Sequence, residues 1–317
     1  MAPAFSLTRR GALISAAAAG SFTALLAPIT AAREVRDDVG SAQVQVKRFY
    51  VDCRFGQLHG YRAEPETIST KTPLICLHQT PSSAKIFKDF IAVMGQDRLV
   101  MAFDNPGYGS SDGPVDRVPL ETYSETLAET LETLGFGPNG RGPVDILGML
   151  TGAKIGGELA RSRPDMVRRL ILVQSLVMTE AQRLTMIARL QGGVQKGWAE
   201  QGADFYVTRL KSALAELDSE QTLDQAITDF ADSLVAGEDY LRGGMTALAY
   251  PTERLYKEIT RPTLVVALGD ERAELAAGAA DLIPQAQLLR LPSYSRHTFR
   301  SDPDAMAAPF RAFLDSP

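Results

Sequence analysis

Gly148-Met149-Leu150-Thr151-Gly152, "GMLTG", decides how the rest of the chain is read. The residues before it, Val144 to Leu147, form a short apolar run that reads as a buried strand. The residues after it, Ala153 to Arg161, read as a helix. A strand, a tight turn with two glycines and a helix make the setting in which a G-x-S-x-G sequence presents a serine. Glycines belong at the flanks because the two backbones approach closely there. The middle residue here is Leu150, which has no nucleophilic atom. Moving the frame so that Thr151 stands in the middle puts Met149 and Ala153 at the flanks, which fits worse.

Outward from this turn the pattern repeats. Gln43 to Arg54 alternates apolar and polar residues, and Gln57 to Ala63 follows after Gly56, so the pair reads as an antiparallel hairpin. Pro73–Leu77 and Leu99–Phe103 are short apolar runs of the kind buried in a parallel sheet, Val144–Leu147 and Leu170–Val173 read as further strands, and Thr263–Leu268 and Gln287–Leu291 as late strands. Helical spacing separates them, at Ser83–Met94, Thr122–Leu134, Ala153–Arg161, Ala273–Leu282 and Met306–Leu314. The fold class expected is α/β: a mostly parallel eight-stranded sheet with helices on both faces. From Met178 to Ile259 the rhythm breaks. There is no convincing strand, only amphipathic stretches such as Arg183–Leu190, Phe205–Leu217 and Leu223–Leu234. This predicts a helical cap over 178–259, either a lid or a plain packing subdomain, inserted into a core made of 33–177 and 260–317.

The 317 residues are 45% hydrophobic and 22% charged, with a net charge of −5, which is ordinary globular composition. No Lys/Arg-rich run is present, so a nucleic-acid partner is not expected. The N-terminus differs. Thr8-Arg9-Arg10-Gly11 precedes an alanine-rich, weakly hydrophobic run, Ala12 to Ile29, and then Thr30-Ala31-Ala32, a small-residue cleavage site. Residues 1–32 read as an export signal of the twin-arginine type, which predicts a periplasmic location and no stable membrane span after its removal. The alternative, an N-terminal anchor, suits so much Ala, Ser and Gly poorly. The two cysteines, Cys53 and Cys76, fall on strands that the expected topology keeps two strands apart. No disulfide is expected, because bridged Cα atoms lie within about 7 Å.

Four motifs in order resemble the α/β-hydrolase superfamily, in its capped haloperoxidase and epoxide-hydrolase branch. They are "LHQTPSS" (Leu77–Ser83), similar to an H-G-x-P oxyanion loop; "DNPGYGSSD" (Asp104–Asp112), matching D-x-P-G-x-G-x-S-D; GMLTG itself; and "SRHTFRSDP" (Ser295–Pro303), similar to the late loop that carries a histidine. The resemblance covers about residue 44 to the end. It implies an elbow with Leu150 at its apex, oxyanion donors in the backbone N–H groups of Thr80 and Thr151, and His297 as a base or donor. The bland reading of His297 is a structural histidine retained without catalysis. Gln79 stands where the family pattern has glycine, and its side-chain amide is either a ligand contact or a solvated loop group. Leu150, Gln79 and Met149 are the expected substrate contacts. The acid that would orient His297 is unsettled: the family position holds Arg272, Asp270 or Glu271 are possible substitutes, and the site after Val173 holds Gln174 and Ser175.

Gly107-Tyr108-Gly109 does not open a helix as a dinucleotide fingerprint would, and Gly148–Lys154 lacks P-loop spacing. The three histidines show no metal-ligand spacing, so neither metal nor cofactor is implied. Two functions stay open. One is an enzyme acting on a small, mostly apolar carbonyl compound, such as an ester, lactone or cleavable C–C bond, through a histidine base and an oxyanion hole without a serine acyl-enzyme. The other is an inactive protein that binds a small ligand in the inherited pocket.

Overall fold

The apolar runs become the middle of a sheet because parallel strands covered on both faces need hydrophobic side chains on both. The computed structural model describes residues 44–317 apart from 216, 218–220 and 238; the expected signal over 1–32 lies outside the described residues. The strands are β1 Lys47–Cys53, β2 Gly56–Ala63, β3 Leu74–Leu77, β4 Val100–Phe103, β5 Val144–Met149, β6 Val167–Val173, β7 Thr263–Leu268 and β8 Gln287–Leu291. They lie in the order β1-β2-β4-β3-β5-β6-β7-β8. β2 runs antiparallel to both β1 and β4, and every other pairing is parallel. β2 and β4 separate the strands of Cys53 and Cys76, and both cysteines are free.

The helices are α1 Lys88–Met94, α2 Leu120–Thr133, α3 Thr151–Ser162, α4 Glu180–Gln201, α5 Ala203–Ala215, α6 Leu223–Val235, α7 Arg242–Ala249, α8 Thr252–Leu255, α9 Ala273–Leu282, α10 Thr298–Ser301 and α11 Pro303–Leu314. Alternation along each strand splits the core in two. Ile75, Leu77, Ile146, Leu170 and Leu172 pack with Leu127, Leu131, Ile155 and Leu159 of α2 and α3. Leu74, Cys76, Leu147, Ile171 and Val173 pack with Phe90, Ile91 and Phe310 of α1 and α11. Met149, expected to contact substrate, belongs to this second cluster and is wholly buried. The correction follows from strand parity: Met149 is the last residue of β5 and faces the α1/α11 layer rather than the turn's open side.

Between β6 and β7 the described residues contain helices α4 to α8 and no strand, as the sequence predicts for this span. The first predicted stretch, Arg183–Leu190, is part of a 22-residue helix. Among the described residues no helix is long and apolar enough to cross a membrane.

Candidate active site

The bend between β5 and α3 falls at Leu150, with φ 48° and ψ −105°, a conformation costly for a residue with a Cβ. It is held by a hydrogen bond from the Leu150 amide to the Val173 carbonyl, 3.0 Å. Both flanking glycines are required. A Cβ on Gly152 would lie 2.1 Å from the Leu77 carbonyl oxygen, and one on Gly148 2.3 Å from that of Gly152. Thr151 is the first residue of α3, two residues before the predicted start, so its amide is among the free donors of a helix N-terminus. Neither the Thr151 nor the Thr80 amide has a hydrogen-bond acceptor among the described residues. The two hydroxyls bond each other, Thr80 Oγ1 to Thr151 Oγ1 at 2.8 Å, which ties the two loops together.

The loop carrying Thr80 is fixed from behind. His78 is buried, and burial pushes its pKa down, so the ring is neutral. Its Nε2 accepts from the Asn105 amide at 2.8 Å, which leaves Nδ1–H to donate to the Gln79 carbonyl at 2.6 Å. Asp104 organises the neighbouring loop. Its carboxylate accepts from His59 Nδ1 (2.8 Å), the Ala84 amide (2.6 Å) and the Ser110 amide (2.8 Å). Burial opposes its ionisation, but the His59 hydrogen bond and these two amides outweigh that and hold the carboxyl below its usual range. The Asp104–Asp112 motif is therefore a device of the fold, and its presence reports architecture rather than chemistry.

His297 lies in the turn before α10, half-exposed. Its amide donates to Ser295 Oγ at 3.0 Å, and Arg296 Nε approaches His297 Nε2 at 3.3 Å. Five of the sequence candidates, Gln79, Thr80, Leu150, Asp270 and His297, line one open cleft of about 1340 Å³. Gln79 Oε1 is buried there with no hydrogen-bond partner among the described residues. Asp270 accepts from Gln174 Nε2 (2.7 Å), the Arg272 amide (2.8 Å) and Arg272 Nη2 (2.8 Å). Burial alone would raise its pKa; the bonds and charge of Arg272, with Gln174, win and lower it. Glu271, the other candidate acid, is 83% exposed in its side chain and does not line the cleft.

Leu150 and Thr80 also border a second, apolar cavity beneath α4 and α7, together with Thr151, Lys154, Gln174 and Arg183. The apex thus stands where a polar cleft and an apolar chamber meet. Lys154 and Arg183 were not anticipated from sequence. The available signal was slight: Lys154 is four residues past the apex, hence on the same face of α3 one turn on.

An elbow bend on a mostly parallel sheet, a free pair of loop amides beside it and a late-loop histidine define the α/β-hydrolase architecture. A family model described as "Alpha/beta hydrolase family" matches residues 74–308, and the chain belongs to that family. It is 20% identical over 254 residues to 2-(acetamidomethylene)succinate hydrolase of Mesorhizobium japonicum, covering 77% of this chain and 88% of the relative. Among solved structures it superposes on the enol-lactonase of Burkholderia xenovorans with a TM-score of 0.68 at 15% identity, covering 84% of this chain and 100% of the other. The bromoperoxidase of Bacillus anthracis gives 0.67 at 14% identity, with 85% and 100% covered. At such identities the two structures speak for the fold alone.

Proposed function

We propose that the protein is a hydrolase-like enzyme for a small, mostly apolar carbonyl compound that works without an acyl-enzyme. The observation that carries this reading is that His297 lines the same cleft as Thr80 and the hydrocarbon apex Leu150. His297 takes a proton from water, or from the substrate carbon next to the carbonyl, while the Thr80 and Thr151 amides receive the developing oxyanion. A positioned base contributes roughly 10²- to 10⁴-fold. One oxyanion donor contributes about 10²- to 10³-fold. Leu150 serves as a wall that directs the carbonyl toward the amides. The Mesorhizobium relative is by name a hydrolase of a small carbonyl compound, which supports the reaction class.

The test is turnover of a panel of small esters, lactones and β-diketones by residues 33–317. With a turned-over substrate, His297→Ala is expected to lower kcat/KM by about 10²-fold or more, with no labelling of the wild type by a fluorophosphonate. Unchanged kcat/KM in the variant removes the base from the mechanism. The second reading, a ligand-binding protein, draws support from the Arg272–Asp270 ion pair, which already engages the candidate orienting acid. Binding without turnover across the panel would establish it. The expected twin-arginine signal places this activity in the periplasm; replacing Arg9 and Arg10 by lysine should retain the uncleaved chain inside the cell.

A further inference from the structure

Lys154 is an unusual residue to find beside an elbow. It projects from the second turn of α3, 6% exposed, and borders the apolar chamber whose walls include Met178, Leu190, Met245 and Leu248. Its ammonium donates to the Leu176 carbonyl and to Thr252 Oγ1, the latter at 2.6 Å. The face of the Tyr256 ring lies 5.1 Å from Nζ. No carboxylate forms an ion pair with it among the described residues. An ammonium has three donors, so two protein acceptors leave one over. Arg183 of α4 borders the same chamber. It donates to the Ala249 carbonyl (2.9 Å) and to Glu253 Oε1 (3.0 Å), and its Nε is buried without a partner among the described residues.

The charged groups around Lys154 come from α4 and α8: Arg183 adds to its positive charge, and Glu253 opposes it. Whenever Lys154 is charged, two cations face one carboxylate and the cluster is one negative charge short. An uncompensated buried charge is costly, and a cavity that borders both cations is where a ligand can supply the missing charge.

We propose that Lys154 and Arg183 anchor a carboxylate of the ligand, so that the compound held at the elbow is an apolar acid with its carbonyl group toward Thr80 and Thr151. This deepens the hydrolase reading and rests on it for the position of the carbonyl, but the anchor itself does not depend on turnover. The helix sets the scale: residues four apart along α3 are separated by about 6 Å of rise. The carboxylate and the reacting carbonyl therefore sit a few bonds apart, while the hydrocarbon fills the chamber.

The experiment is calorimetric titration of the protein with octanoate and with octanamide, in two buffers of different ionisation enthalpy. Octanoate is expected to bind at least tenfold tighter than the amide, and to take up about one proton per ligand at pH 8, because the bound carboxylate favours the charged lysine. Uptake falls at pH 6, where the lysine is already charged. Lys154→Met is expected to lose the preference for the acid and the proton uptake while still binding octanamide; Arg183→Gln is expected to lose part of the preference. The titration reads binding and not turnover, so a failure of the catalytic reading leaves this result standing. No octanoate binding, equal binding of acid and amide, or full octanoate affinity in a folded Lys154→Met protein overturns the proposal.

Discussion

At the scale of single residues, the site is built from backbone constraints before it is built from side chains. Leu150 holds a positive φ that glycine would adopt freely, and its neighbours Gly148 and Gly152 have no room for a methyl group. Gly152→Ala pushes a Cβ to 2.1 Å from the Leu77 carbonyl, and backbone cannot give way as a flexible side chain can. The expected loss is about 3 kcal/mol or more, read as a lower denaturation midpoint at unchanged m-value. A loss under 1 kcal/mol would mean that β3 and α3 part easily. Leu150→Ser puts a hydroxyl at the apex, and slow fluorophosphonate labelling is expected there. The labelling stays slow because Arg272 and Gln174 already engage Asp270; Arg272→Ala in the same background is expected to raise it. The glycines and the apex were legible in sequence because the need for a missing Cβ is local and leaves a spacing behind. Lys154 was not, because its partner Thr252 is 98 residues away and only the folded chain brings the two together.

At the scale of elements, the helices between β6 and β7 are tethered to the core by charge. Asp232 of α6 is buried and accepts from Ser83 Oγ (2.5 Å) and Lys85 Nζ (2.6 Å), both beside the oxyanion loop. Asp229, one turn earlier, pairs with Arg300 of α10 at 2.7 Å, three residues past His297. Arg117 pairs with Asp239 at 2.6 Å. Tyr108 adds a neutral tie, donating to the Tyr240 carbonyl (3.0 Å) and accepting from the Gly243 amide (2.8 Å). α6 is therefore fastened to both loops that form the cleft. Asp232→Ala strands a buried hydroxyl and frees Lys85, at an expected local cost of about 1–3 kcal/mol. The measurement is limited proteolysis: cleavage within 180–258 should quicken while global stability falls less. Unchanged cleavage would show that packing alone holds α6. The tethers could not be foreseen, although the helices could. Amphipathic spacing marks an apolar face, and in the fold α6 carries a capping box at Thr222 and Gln225. The partners of Asp232 and Asp229 lie 147 to 149 and 71 residues away and leave no periodic trace. α7 and α8 escaped notice for a different reason: they are one or two turns long, too short for a period to show.

At the scale of the whole molecule, the sheet was the most legible feature, because strands buried on both faces need unbroken apolar runs: β7 is buried at every position, whereas the edge strand β8 is largely exposed and its run is broken by Arg290. The same burial has an electrostatic consequence. Burial pushes the Lys154 ammonium down to about 7, with Glu253 opposing and Arg183 adding to the shift, whereas an unfolded lysine titrates near 10.5. Between these values the unfolded chain binds more protons than the folded one, so this group makes stability rise with pH across that window. Below about 7 the cost of the buried charge is complete and flat. Asp145 behaves in the opposite sense. Desolvation raises it to about 6 despite the Arg168 ion pair, so the folded state holds its proton longer and stability falls as pH rises from about 4 to 6. Both penalties are in force between pH 6 and 7. Other carboxylates that the fold holds below their usual range, Asp97 and Asp270 among them, act at lower pH and cancel in a comparison of variant with wild type. Lys154→Met should therefore be more stable than wild type at pH 6–7 by an amount on the order of 3 kcal/mol, shrinking toward nothing as pH approaches 10. Denaturation midpoints for the pair at several pH values give this difference directly. Saturating octanoate should shrink it from the other side by stabilising the wild type more than the variant, since a carboxylate seated on Lys154 compensates the charge that the methionine removes. A pH-independent difference would mean that the lysine keeps an ordinary pKa in its chamber and has its counter-charge already.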